Sequence, residues 1–131
     1  MRHTRLRFSL IAALALLAAA CAGDVQPVFF SGPLLEGTSP EGGLALDGTV
    51  VNGLSKSAQY VQVTFILYGS GGEVLETVSA LAASEEGPEG TLSPAEEGAF
   101  LAVSETPAEK IARIDYVIGY DDISTNPAPL R

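Results

Sequence analysis

The side chains able to carry reactive chemistry are few in this chain of 131 residues, and two of them sit near its start. Cys21 is the only thiol, His3 the only imidazole and Met1 the only methionine, and there is no tryptophan. A Ser-His-Asp or Cys-His set needs an imidazole to take the nucleophile's proton, and zinc, copper and haem centres draw on imidazole or thiolate ligands. One cysteine also makes no intrachain disulfide. Carboxylates are left. Asp115, Asp121 and Asp122 gather towards the end of an apolar run, and Glu85, Glu86 and Glu89 crowd one stretch rich in glycine and proline. Clustered loop carboxylates can hold calcium, a hard cation that takes six to eight oxygens, although no EF-hand or repeat spacing is present. The plainer reading is a solvated acidic edge, with no metal. Paired carboxylates also serve glycosidases, but a small domain without tryptophan lacks the usual sugar platform. No catalytic residue and no cofactor is therefore expected, and the chain reads as a non-enzyme.

The N-terminus explains why those two reactive residues are placed where they are. Arg2, Arg5 and Arg7 form a basic start, Phe8 to Ala20 is apolar apart from Ser9, and the run closes in Leu17-Ala18-Ala19-Ala20 before Cys21. An apolar run of about thirteen residues falls short of the roughly 20 needed for a permanent transmembrane helix. Residues 1–20 therefore read as a secretory signal helix that is removed, and His3 leaves with it. The junction resembles the lipobox of bacterial lipoproteins, in which the cysteine is diacylated and becomes the first mature residue. The family usually has Leu three positions before the cysteine; here that position is Ala18, with Leu17 one further out. The resemblance implies that Cys21 carries the lipid and that membrane lipid is a partner. The alternative is an ordinary secretory cut after Ala20 or Ala22. A single acyl chain holds a protein only reversibly, whereas two or three make a stable anchor.

Removing the signal sharpens the charge. Three of the seven Lys and Arg go with it, leaving four against sixteen Asp and Glu, a net charge of −12. A domain this acidic has no basic footprint for nucleic acid or for anionic head groups. A solvated acidic surface that keeps a secreted protein soluble accounts for the charge without a ligand.

Behind the anchor, the chain is organised by Tyr60 to Tyr68. Val61, Val63, Phe65 and Leu67 share one face at the two-residue strand period, and Tyr60, Gln62, Thr64, Ile66 and Tyr68 share the other. Val28 to Phe30, between Pro27 and Pro33, suits a first edge strand at the end of a tether. Gly43 to Asn52 is a strand in which Leu44 and Leu46 share a face, Val50-Val51 blur the register, and Asn52-Gly53 signals a turn. Gly69-Ser70-Gly71-Gly72 is a hairpin loop into a strand over Glu73 to Leu81. Ala82 to Gly90 is an exposed acidic loop. A strand follows from Ala99 to Ser104, with Ala99, Leu101 and Val103 on one side and Phe100 opposing them. Thr106 is placed to cap one helical turn with Pro107 at its first position. Ile111 to Tyr120 is the last strand, and 121–131 is a tail with nothing to pack it, expected to be mobile. Six to seven short antiparallel strands with glycine and proline turns predict an all-β immunoglobulin-like β-sandwich behind the signal helix. The expected divisions are 1–20 signal, 21–42 tether and edge strand, 43–120 sandwich and 121–131 tail.

Leu46-Asp47-Gly48-Thr49-Val50-Val51-Asn52, the strand Val61 to Tyr68, Gly72-Glu73-Val74-Leu75, and Leu92-Ser93-Pro94 leading to Phe100 together resemble the FxLYD domain. That family is a small β-sandwich of secreted or membrane-tethered bacterial and archaeal proteins, often lipoproteins. The similarity spans residues 44–120. Two turn positions depart from it: Gly69 stands where the family has Asp, and Ala95 where it has Gly. The resemblance implies a fold and a setting, and no catalytic residue.

The functional expectation is a non-catalytic lipoprotein, secreted across the cytoplasmic membrane and lipid-anchored in the cell envelope. Its acidic sandwich would bind another envelope protein or act as a spacer, with no nucleic acid partner. Tyr60, Ile66 and Tyr68, on the outer face of the central strand, form the candidate binding strip if nothing covers them; the alternative is that the 22–40 segment or a loop does. A ligand-binding module for calcium or a small solute is the second reading.

Overall fold

The computed structural model describes residues 27–130, so the expected signal segment and Cys21 lie outside the described residues. Nine strands follow in order: β1 (Val28–Phe30), β2 (Leu35–Thr38), β3 (Leu44–Asn52), β4 (Gln62–Tyr68), β5 (Val74–Leu81), β6 (Glu97–Val103), β7 (Arg113–Tyr120), β8 (Ile123–Ser124) and β9 (Ala128–Pro129). They form two antiparallel sheets. In the first, β6 pairs along one edge of β3, while β1 and β2 share the other edge in succession. In the second, β4 lies between β5 and β7, and β8 and β9 share the far edge of β7. The β3–β6 and β4–β7 pairs interlock, because the chain crosses between sheets after β3, after β5 and after β6. This is the all-β sandwich expected, with immunoglobulin-like Greek-key connections.

The inward face of the central run is realised in full. Val61, Val63, Phe65 and Leu67 are completely buried, and each side chain withdrawn from water contributes about 1.5–3 kcal/mol. They meet Leu44, Leu46 and Val50 of β3, Phe100 and Ala102 of β6, and Ile114, Ile118 and Tyr120 of β7 in one core. The register that Val50-Val51 seemed to blur is clean: residues 44, 46, 50 and 52 are buried, and Val51 turns outward. On β6, Phe100 and Ala102 turn inward and Leu101 and Val103 outward.

The β4–β5 hairpin works as its glycines suggest. The Gly72 amide donates to the Gly69 carbonyl (3.0 Å), and Gly72 then takes a φ of +84° that a side chain would resist. A register shift between Leu67 and Tyr68 absorbs the extra residue. At one end of the sandwich seam, Ala83 bridges to Ala99 beside β6. At the other, the Glu76 carboxylate accepts the Glu105 amide (3.0 Å) and the Thr106 hydroxyl (2.7 Å). Thr106 thus serves Glu76 and not the turn after it, which is a single 3-10 turn over Ala108–Lys110 with no side-chain cap.

Asn52 ends β3 and the chain leaves the strand at Gly53, as the Asn52-Gly53 signal predicted, with Asn52 itself buried. Two further expectations are corrected. Leu35–Thr38 is a strand, although none of its four residues is buried. The C-terminal segment is packed: after Tyr120 the chain reverses through Asp121 (φ +46°) and Asp122 (φ +63°), the backbone of a type I′ turn. It then runs along β7, where the Leu130 amide reaches the Ile114 carbonyl (2.7 Å) and the Leu130 side chain packs on the core.

Ala95 holds a φ of +65° in the turn before β6, with its amide bonded to the Asn52 carbonyl (2.7 Å). A left-handed alanine costs about 1–2 kcal/mol, part of which glycine returns as unfolded-state entropy. Ala95→Gly should therefore stabilise the domain by about 0.5–1 kcal/mol, read as a raised urea midpoint at unchanged slope.

Candidate functional site

The candidate strip is split by the backbone. Tyr60 precedes β4, at a φ of +53°, and is 74% exposed; it stands at the tip of the sandwich with Asp122 and Ile123 of the β7–β8 turn. The Gln59 amide donates to the Asp121 carboxylate (2.8 Å) and the Asp121 amide to the Gln59 carbonyl (2.8 Å), which fixes this tip. Ile66 and Tyr68 stay on the outer face of the second sheet, half-buried. Ile66 lies between Thr77 of β5 and Asp115 of β7, and the Arg113 guanidinium sits 3.9 Å over the Tyr68 ring, a cation–π contact. The described part of the 22–40 segment runs along β3 in the opposite sheet and does not cover this face. The structure therefore brings Ile66 and Tyr68 together and leaves Tyr60 apart.

The carboxylates do not converge. Asp115, half-buried, pairs with the exposed Arg113 at 3.5 Å, while Asp121 and Asp122 occupy the turn beyond the far end of β7. At about 3.3 Å per residue, the strand separates the two groups by roughly 17–20 Å. Glu85 and Glu86 line a shallow depression with Glu96 and Glu97, beside Thr49 and Ala99. Among the described residues, no group of three or more His, Cys, Asp or Glu side chains is arranged to hold a metal ion.

Among the described residues, the buried polar side chains are committed to holding the fold. Asn52 donates from Nδ2 to the Lys56 and Leu92 carbonyls (2.9 Å each) and accepts the Leu54 amide at Oδ1 (2.9 Å). Ser39 accepts the Gly43 amide (3.1 Å), and Ser104 donates to the Thr106 carbonyl (3.2 Å). Among the described residues, every buried side-chain nitrogen and oxygen has a partner.

A broader apolar surface escaped the sequence reading. On the outside of the first sheet, Leu35, Leu101, Val103 and Phe29 are 67%, 58%, 48% and 44% exposed. The strand period that put Ala99, Leu101 and Val103 on one side was the available signal, but it did not say which side faced water.

Among the described residues no helix is long and apolar enough to cross a membrane. No protein-family model matches the chain, and no curated protein matches it.

Proposed function

We propose that this chain is a non-catalytic cell-envelope lipoprotein of FxLYD-like type, anchored through acylated Cys21, whose acidic sandwich is an interaction or spacer module. The observation that carries the reading is the division of labour among polar groups. Among the described residues, Asn52, Ser39 and Ser104, the buried ones, are tied to backbone within the fold, and the carboxylates stay at the surface with none grouped to hold a metal ion. What the domain offers a partner is therefore apolar surface set in negative charge. The tether suits an anchored module: β1 begins at Val28, so the seven-peptide span from Cys21 reaches at most about 25 Å. The domain would then stand close to the membrane that carries it. The half-buried pair Ile66 and Tyr68, with Tyr60 at the tip, remains a candidate contact on the second sheet.

Mass spectrometry of the mature N-terminus from producing cells tests the anchor. The expected first residue is Cys21, carrying a thioether-linked diacylglycerol. An unmodified terminus at Cys21 or Gly23 would replace the lipoprotein with a secreted soluble protein.

A further inference from the structure

Among the described residues, the outer face of the first sheet gathers four exposed large apolar side chains, Phe29, Leu35, Leu101 and Val103. The register puts Phe29 beside Val51 and, past the Thr49–Ala99 row, sets Leu35 and Leu101 on either side of Asp47 and Val103 beside Ala45, so the apolar side chains spread over one face of four strands with Asp47 among them. An exposed apolar face of this kind, set among charged groups, is the usual composition of an interaction surface.

Its charge is of one sign. None of the four strands carries a Lys or Arg, whereas β3 and β6 carry Asp47 and Glu97 on this face. Glu41 and Glu105 flank Val103 at one end of the face, and Glu85, Glu86 and Glu96 flank Ala99 at the other. The described cations lie elsewhere: Arg113 is on the second sheet, Lys110 on the turn before it, and Lys56 in the β3–β4 connection.

We propose that this face docks a partner protein presenting apolar side chains edged by Lys or Arg. Two other occupants are opposed by the same charges. A second copy would bring Asp47 and its acidic flanks against their own likeness, and an anionic bilayer would repel the Glu41–Glu105 and Glu85–Glu86 ends. A basic rim turns each of these groups into an attraction that raises the association rate and fixes the orientation, while the apolar rows exclude water. The proposal rests on the interaction form of the function above, and on neither the lipid nor the second-sheet strip.

The test is photocrosslinking of the full chain in producing cells, with a benzophenone side chain at Leu101 or, in a separate strain, at Thr77 on the outside of the second sheet. The expected result is one discrete adduct from the Leu101 position, whose identified partner has a Lys- or Arg-edged apolar surface. Its yield should fall at least fivefold in Asp47→Lys, which reverses charge at an exposed position, with an unchanged thermal melt as the folding control. An adduct of twice the chain's own mass, a lipid adduct, or a yield indifferent to Asp47→Lys overturns the proposal. An adduct from Thr77 alone overturns this surface while leaving an interaction module standing. No adduct from either position removes the interaction reading itself and leaves a spacer.

Discussion

Asn52→Asp is expected to destabilise the domain by about 3–5 kcal/mol at pH 7, the cost of leaving a buried charge without a compensating partner. Asn52 is fully buried, and its Nδ2 serves two carbonyls, those of Lys56 and Leu92, that have different places in the chain. One belongs to the β3–β4 connection and the other to the segment leading into β6. A carboxylate there would point acceptor at acceptor in a fully buried site. The protonated acid would still satisfy one of the two carbonyls. Burial therefore raises the introduced group's folded pKa above its unfolded value near 4, so over that interval the native state binds more protons than the unfolded state. Stability then falls as pH rises through the interval. Urea unfolding of variant and wild type at pH 4 and pH 7 should show the larger deficit at pH 7. Asn52→Ala, which strands the same groups without adding charge, should lose about 2–4 kcal/mol equally at both. A deficit for Asn52→Asp under 1 kcal/mol, or one identical at the two pH values, would show that Asn52 does not clamp these segments.

The role of Asn52 also shows where sequence reasoning reached its limit. Asn52-Gly53 marked the end of β3 and the polar connection after it, as found. What no local pattern carried is that the Asn52 side chain is buried and bonds the Leu92 carbonyl, forty residues away. Strands with one clean face were legible. β4 appeared with its buried face correct, since burial of one face is what its alternation encodes. Strands held by backbone pairing alone were not. β2 buries no side chain, and β8 and β9 are two residues each, with apolar anchors too sparse to set a period. Asp121-Asp122 lacks the glycine that usually announces a type I′ turn, although aspartate tolerates the left-handed region better than most residues.

The candidate surfaces divide along the same line. Ile66 and Tyr68 were placed on the outer face by period alone, and that parity is what the fold shows. Tyr60 was placed with them by counting, which assumes extended backbone throughout; a φ of +53° breaks the count before β4 begins. On β6 the ambiguity was of another kind. Both faces are apolar, so alternation could not say whether Phe100 and Ala102 or Leu101 and Val103 face the core. Volume decides it: Phe100 fills the space between Phe65 and Phe30, with ring centroids 5.9 and 6.0 Å away. Sending the largest ring inward is what leaves Leu101 and Val103 in water.

That aromatic contact carries the other large effect. Phe65→Ala should cost about 3–5 kcal/mol, the range for removing a buried phenylalanine ring from a site that cannot fully collapse. Phe65 is completely buried at the middle of β4, opposite Val78 on β5 and Tyr116 on β7. Its ring begins a chain that runs through Phe100 on β6 to Phe30 on β1 and back to Tyr116, 4.7 Å from Phe30, so it ties both sheets and the edge strand to one point. Rigid pairing on both sides of β4 opposes closure of the cavity. Against a stability of about 5–15 kcal/mol for a domain of this size, the loss is about a fifth of the total or more. A double-mutant cycle of Phe65→Leu and Phe100→Leu should give a coupling of about 0.5–1.5 kcal/mol, the portion owed to ring geometry beyond buried area. The amides of β1 should lose hydrogen-exchange protection more than those of β7, because β1 pairs only with β3 and Phe30 reaches the core through Phe100 and Tyr116, whereas β7 is paired with β4 along its length. If Phe65→Ala costs under 1.5 kcal/mol, or β1 keeps its protection, the two sheets are held together somewhere other than this ring chain.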